Sequence, residues 1–118
     1  GPEDYAALFS AATGLPTSPE ELLVMGRRVH NVEKAFNTLH AGFTRADDRP
    51  PPRLVEDPAL SGPYQGERLD PARWEAMLDE YYRQQGWDVS TGQQTEAGLR
   101  ALGLDEVAAR LHAAGRLR

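Results

Sequence analysis

"TSPEELLVMGRRVHNVEKAFNTLHAG", Thr17 to Gly42, is the stretch that decides the fold. Ser18 stands where a helix needs an N-cap, Pro19 takes the first helical position, and Glu21 completes a capping box. Leu22, Met25, Val29, Val32, Phe36 and Leu39 then follow in alternating steps of three and four. That spacing draws a narrow apolar stripe along one long amphipathic helix. Gly26 lies inside the stripe, where a neighbouring backbone can approach closely, and Gly42 ends the helix. The stripe is expected to face the helices on either side of it in sequence.

Upstream, Glu3–Thr13 reads as a helix with Tyr5, Leu8, Phe9 and Ala12 on one face, stopped by Gly14. Downstream, Asp70 and Pro71 repeat the cap-then-proline start. Trp74, Met77, Leu78, Tyr81 and Tyr82 give that helix its apolar face, Gly86 stops it, and Trp87 is placed to fold back on its end. After the polar stretch "DVSTGQQ", Thr95 is expected to cap a short helix to Leu102, and Asp105 another to Ala114. No β-alternation persists along the chain. The expected fold is all-α: one domain over residues 1–118 with about five helices.

Between the second and third helices, residues 43–69 show no periodicity and hold Pro50, Pro51, Pro52, Pro58 and Pro63. The sequence predicts a long, Pro-rich, largely extended connection. Loops beyond about 15 residues without structure of their own are uncommon in compact domains. This one is therefore expected to wrap a surface. Leu, Val and Phe total 23 of 118 residues, just under the level of about 20% below which chains often fail to fold alone. A thin core suits a piece that packs on something larger.

Composition removes several function classes. With no cysteine, the chain can hold neither a disulfide framework, nor a Cys-ligated zinc, nor an iron–sulfur cluster. A net charge of −5 argues against nucleic acid as the main partner. No apolar run approaches the roughly 20 residues of a membrane span, which fits a cytoplasmic protein. His30, His40 and His112 make no helical pair for a metal, and His30 reads as a packing or hydrogen-bonding residue. No phosphate cradle and no nucleophile elbow occur. Asp47 and Asp48 are adjacent in a loop, whereas catalytic carboxylate pairs oppose each other across a substrate. They read instead as partners for arginines, either Arg45, Arg49 and Arg53 or those of a neighbour. Asn37, near the end of the long helix, is placed to bond the loop backbone after Gly42. The expected loop anchors are Asn37, Arg45, Asp47, Asp48 and Arg53, with no catalytic, cofactor-binding or metal-binding residue. The last two helices and Arg110, Arg116 and Arg118 give a weak helix-turn-helix look-alike.

Three stretches together resemble one family: "GRRVHNVEKAFN" (Gly26–Asn37), "GFTRADDRPPPR" (Gly42–Arg53) and "MLDEYYRQQGWD" (Met77–Asp88), with "GLDEVAARL" (Gly103–Leu111) as a weaker fourth. Their order and spacing are similar to the extreme C-terminal region of the aldehyde:ferredoxin oxidoreductases, over about Tyr5 to Leu111. That family carries a Gly-Phe-Thr-Arg-x-Asp-Asp segment followed by Pro-x-Arg, matched here by Gly42–Asp48, Pro51 and Arg53. Lys34 stands where arginine is frequent. The resemblance implies an enzyme with a tungsten or molybdenum bis-pterin cofactor and one [4Fe–4S] cluster. Its reaction would oxidise an aldehyde to a carboxylic acid and pass the electrons to ferredoxin. It also implies that this chain lacks the machinery. There are no cluster cysteines, and "TEAGL" has threonine where the pterin-binding Asp-x-x-Gly-Leu motif has aspartate. The expectation is a C-terminal helical domain that packs on upstream catalytic domains and is itself inactive, without cofactor. Three other readings stay open: a stand-alone subunit or adaptor for a separate catalytic chain, a small DNA-binding regulator, and an unrelated enzyme.

Overall fold

The computed structural model describes residues 1–118. Six α-helices follow in order: α1 Pro2–Thr13, α2 Pro19–Ala41, α3 Pro52–Glu56, α4 Pro71–Gln85, α5 Glu96–Ala101 and α6 Asp105–Ala113. A 3₁₀ turn spans Arg45–Asp47, and the one β-bridge joins Trp87 to Gln94. The fold is all-α.

Helix α2 starts as its sequence demands. The Ser18 hydroxyl accepts from the Glu21 amide at 3.1 Å, and the Glu21 carboxylate accepts from the Ser18 amide at 2.8 Å. It ends at Gly42, whose φ of 70° is left-handed. Helix α4 is capped by Asp70 and α5 by Thr95. Helix α6 differs from expectation: Asp105 is its first helical residue, and the cap is Leu104, without a side-chain bond. The 43–69 connection is irregular but not simply extended. The Thr44 hydroxyl and the Asp47 carboxylate close the 3₁₀ turn. Pro52 starts the single-turn α3, because proline at a first helical position forfeits no helical bond.

The core lies at the C-terminal end. Leu99, Leu102, Leu104, Ala108 and Leu111 pack around Ala35 of α2. Leu78, Tyr82 and Trp87 form a second, smaller cluster. A buried polar network ties α2 to the turn after α4. The Trp87 indole donates to Asn31 Oδ1 at 2.9 Å, and Gln94 Nε2 donates to the same oxygen at 2.7 Å.

The apolar stripe of α2 does not face its neighbours as expected. The buried side of the helix is Asn31, Ala35 and Thr38. Small and polar residues there let α2 sit against α5 and α6. The stripe is turned about a quarter to a third of a helical revolution away. Its ends are partly covered, Leu22 half-buried and Leu39 against the core, while its middle stays open, with Met25 40%, Val29 58%, Val32 46% and Phe36 61% exposed. On α1, likewise, Tyr5 and Leu8 are exposed and only Ala6 is buried.

The molecule is loose for its size. Its radius of gyration is 17.8 Å, whereas a compact chain of this length has about 13.5 Å. Its accessible surface is 8209 Å², about 1,900 Å² above that of a compact monomer of the same mass.

Candidate functional site

Three segments converge on one cavity of about 540 Å³, open to solvent: the middle of α2, the start of the long connection, and α4 with the turn after it. Period 3.6 puts His30, Lys34 and Asn37 on one side of α2, facing it. Trp87 closes the end because Gly86 turns the chain back over α4, the Trp87 amide donating to the Tyr82 carbonyl at 2.9 Å.

Asp48 is the centre of the arrangement. Its carboxylate accepts from the Tyr82 hydroxyl, and its backbone carbonyl accepts from the Trp74 indole at 3.1 Å. Burial, then the bond to Asp48, pushes the Tyr82 phenol well above its ordinary range. Tyr82 is held from above by Gly92, where a Cβ would lie 2.8 Å from the phenol oxygen and φ is 69°. Only glycine fits that approach. The Lys34 ammonium lies 4.2 Å from the centre of the Trp87 ring, a cation–π contact. Burial lowers its pKa, and the charge of Asp48 opposes that shift. His30 stacks on Trp87 with ring centres 5.4 Å apart, and its Nε2 shares a 2.7 Å hydrogen bond with the Tyr81 hydroxyl.

Arg45 ties the loop down on the other side of Tyr82. Its guanidinium donates to the Val89 carbonyl at 2.5 Å and pairs with Glu75 at 2.5 Å and Asp79 at 2.7 Å. Its backbone amide donates to the Thr91 carbonyl at 3.0 Å. Arg45 thus pairs with carboxylates on α4 instead of the two aspartates, and Asp48 meets the Tyr82 hydroxyl instead of an arginine. Asp47 bonds only within its own turn, to the Thr44 amide at 2.8 Å and hydroxyl at 3.2 Å. The Asn37 side chain makes no hydrogen bond; its backbone carbonyl accepts from the Gly42 cap and, at 3.5 Å, from Phe43. Arg53 is exposed on α3 and forms no ion pair.

Sequence reasoning overlooked Tyr82, Trp74 and Lys34 as partners of Asp48, and Glu75 and Asp79 as partners of Arg45. Glu75 and Asp79 are four apart on α4, so a shared cation was legible in their spacing. The contacts to Asp48 depend on how the loop returns over α4, which no local pattern encodes.

The cavity brings no nucleophile, base and oxyanion donors together, and no three His, Asp or Glu side chains are placed to hold a metal ion. Of the three arginines of the helix-turn-helix look-alike, Arg110 is paired with Glu106, while Arg116 and Arg118 are in no ion pair. No helix is long and apolar enough to cross a membrane.

A family model described as aldehyde ferredoxin oxidoreductase, domains 2 and 3, matches residues 1–104. The tungsten-containing aldehyde ferredoxin oxidoreductase of Pyrococcus abyssi (strain GE5 / Orsay) is 38% identical over 107 residues, covering 90% of this chain and 17% of that protein. The Pyrococcus furiosus protein of the same name is 37% identical with the same coverage, and that of Thermococcus kodakarensis is 39% identical over 88 residues. Among solved structures, a chain of the active site complex BamBC of benzoyl coenzyme A reductase, in complex with 1,5-dienoyl-CoA, superposes with a TM-score of 0.74 at 26% identity. That match covers 97% of this chain and 16% of the other. The chain thus spans about a sixth of the length of the curated relatives it matches.

Proposed function

The chain belongs to the aldehyde ferredoxin oxidoreductase family, and from that premise we propose that it serves as the C-terminal helical portion of a larger enzyme of that kind. The parent would be cytoplasmic and would oxidise an aldehyde to a carboxylic acid, with electrons passed to ferredoxin. The observation that carries the proposal is the family match over residues 1–104 in a chain that spans 14–17% of its relatives.

The relatives are tungsten-containing by name; this chain offers no thiolate for a cluster, and we assign it no residue of the tungsten–pterin site. There is no cysteine, and no three carboxylate or imidazole groups converge. No step of the reaction is therefore assigned to this chain. Its task is structural: the Arg45 and Asp48 contacts hold the connection on α4, and the open α2 stripe and cavity face the catalytic domains. Asn37, Asp47 and Arg53 complete the proposed anchors. The Asn37 carbonyl sets the loop exit, Asp47 closes the first turn, and Arg53 remains exposed for a carboxylate of the neighbouring domain.

Metal analysis tests this. The native protein should carry tungsten or molybdenum and iron, and the 118-residue chain none. Stoichiometric tungsten on the chain alone would overturn the proposal. The second reading, a free subunit that binds a separate catalytic chain, is favoured by the same open apolar stripe, and the size of the native polypeptide separates the two.

A further inference from the structure

Gly26 is unexplained by anything within the chain. It sits in the body of α2, and a Cβ added there would meet nothing within 4 Å. Glycine in a helix interior is less favourable than alanine, so an open glycine there weakens the helix with no return inside this molecule. Its surroundings supply a reason. At 100° per residue, Gly26 shares a strip of α2 with Leu22 and Val29, and Met25, Val32 and Phe36 border it. Four of these apolar residues, Met25, Val29, Val32 and Phe36, are exposed. The opposite side of the helix is already covered by the chain's own core. A stripe stepping by three and four is the seam along which helices pack, and a glycine in that seam lets two axes come closer than larger side chains allow.

We propose that an apolar helix from the part of the parent polypeptide outside these 118 residues crosses α2 at Gly26, seating its own side chains on Val29, Met25 and Phe36. This rests on the placement of the chain inside a longer enzyme. Two observations favour that occupant. The relatives hold about five-sixths of their length outside the matched stretch. The accessible surface of the whole chain, α2 included, exceeds that of a compact monomer by about 1,900 Å², which leaves room for a partner's share of an obligate interface.

The test places a photoreactive phenylalanine analogue at position 36 of the whole native polypeptide, with and without Gly26→Leu, and maps the cross-linked peptides by mass spectrometry. The expected product joins α2 to a helix of the same polypeptide outside this chain, and Gly26→Leu abolishes it. A cross-link to a second copy or to a different protein overturns the proposal. So does the absence of any cross-link in the protein that keeps Gly26. The same sample reports the length of the polypeptide. A long polypeptide with no such cross-link refutes the helix crossing while the family placement stands. A polypeptide of only 118 residues refutes both.

Discussion

The C-terminal end of the molecule and the outer face of α2 carry similar apolar residues and meet opposite fates. Of the 15 buried residues, all but Ala6, Asn31, Ala35 and Thr38 lie after Pro71. There the chain closes on itself. Leu111 and Leu99 are enclosed, Trp87 is hydrogen-bonded to Asn31, and the Arg118 amide donates to the Gln94 carbonyl at 3.0 Å. On α2, Val29 and Phe36 are as apolar as Leu111, yet they face solvent. One region is a small closed core, and the other is an apolar surface that nothing in the chain covers. Hydrophobic residues at helical spacing announce that they want cover; they do not say whose.

Substitutions in the 118-residue chain can break or sharpen that contrast. Leu111→Ala, at a fully enclosed site, should cost about 2–5 kcal/mol of unfolding free energy in urea titrations. A cost below 1 kcal/mol would mean that the C-terminal core is not the stable region. Asn31→Ala should cost about 1–3 kcal/mol, because it leaves the Trp87 indole N–H buried and unpaired. A red-shifted or blue-shifted tryptophan emission should accompany the loss, and unchanged emission and stability would remove the network from the account. Asp48→Ala should cost about 1 kcal/mol, and amide exchange across Thr44–Arg53 should quicken. Exchange that stays the same would show that Asp48 does not anchor the loop. Phe36→Ser on the open stripe should change stability by less than about 0.5 kcal/mol. A cost matching that of Leu111→Ala would erase the contrast between the two regions.

The pH dependence has opposed contributions from three groups at the cavity: Tyr81 and Tyr82, both raised, and Lys34, lowered. Tyr82 is pushed up, chiefly by burial, so the fold prefers its neutral phenol. That stability is complete below the unfolded phenol value of about 10 and is lost as pH rises above it. Lys34 is shifted down by burial, so the fold prefers its neutral amine. Its contribution is present above the unfolded value of about 10.4 and is lost as pH falls through the folded one. Lys34 thus offsets Tyr82 on the alkaline side. Thermal melts should begin to lose Tm at a lower pH in Lys34→Met than in the unsubstituted chain; coincident profiles would contradict the opposed titrations.

Much of the fold was legible from local chemistry. The Ser18–Glu21 box, Pro19, Gly42, Asp70 and Gly86 mark helix ends by mechanisms that act within a few residues, and the structure places those ends accordingly. The single-turn α3 was not legible, since five residues carry no period and the prolines around them read as extended chain. The orientation of α2 was hidden for a different reason. Its strongest apolar pattern lies mostly on the face left open, while the intrachain contact uses the small Ala35 and the polar Asn31 and Thr38, and polar residues rank as surface. At the candidate site, the Gly42–Arg53 segment pointed to an anchored loop, but not to α4 carboxylates and Tyr82 as what it meets. Those partners are 30 to 34 residues away in sequence, and only the folded chain brings them together.

The most direct test of the account is the size of the native protein in lysate of the source cells, detected with an antibody raised against this chain. The account predicts a single denatured band several times larger than 13.0 kDa. A band near that mass would contradict it, and the open face of α2 would then belong to a separate partner.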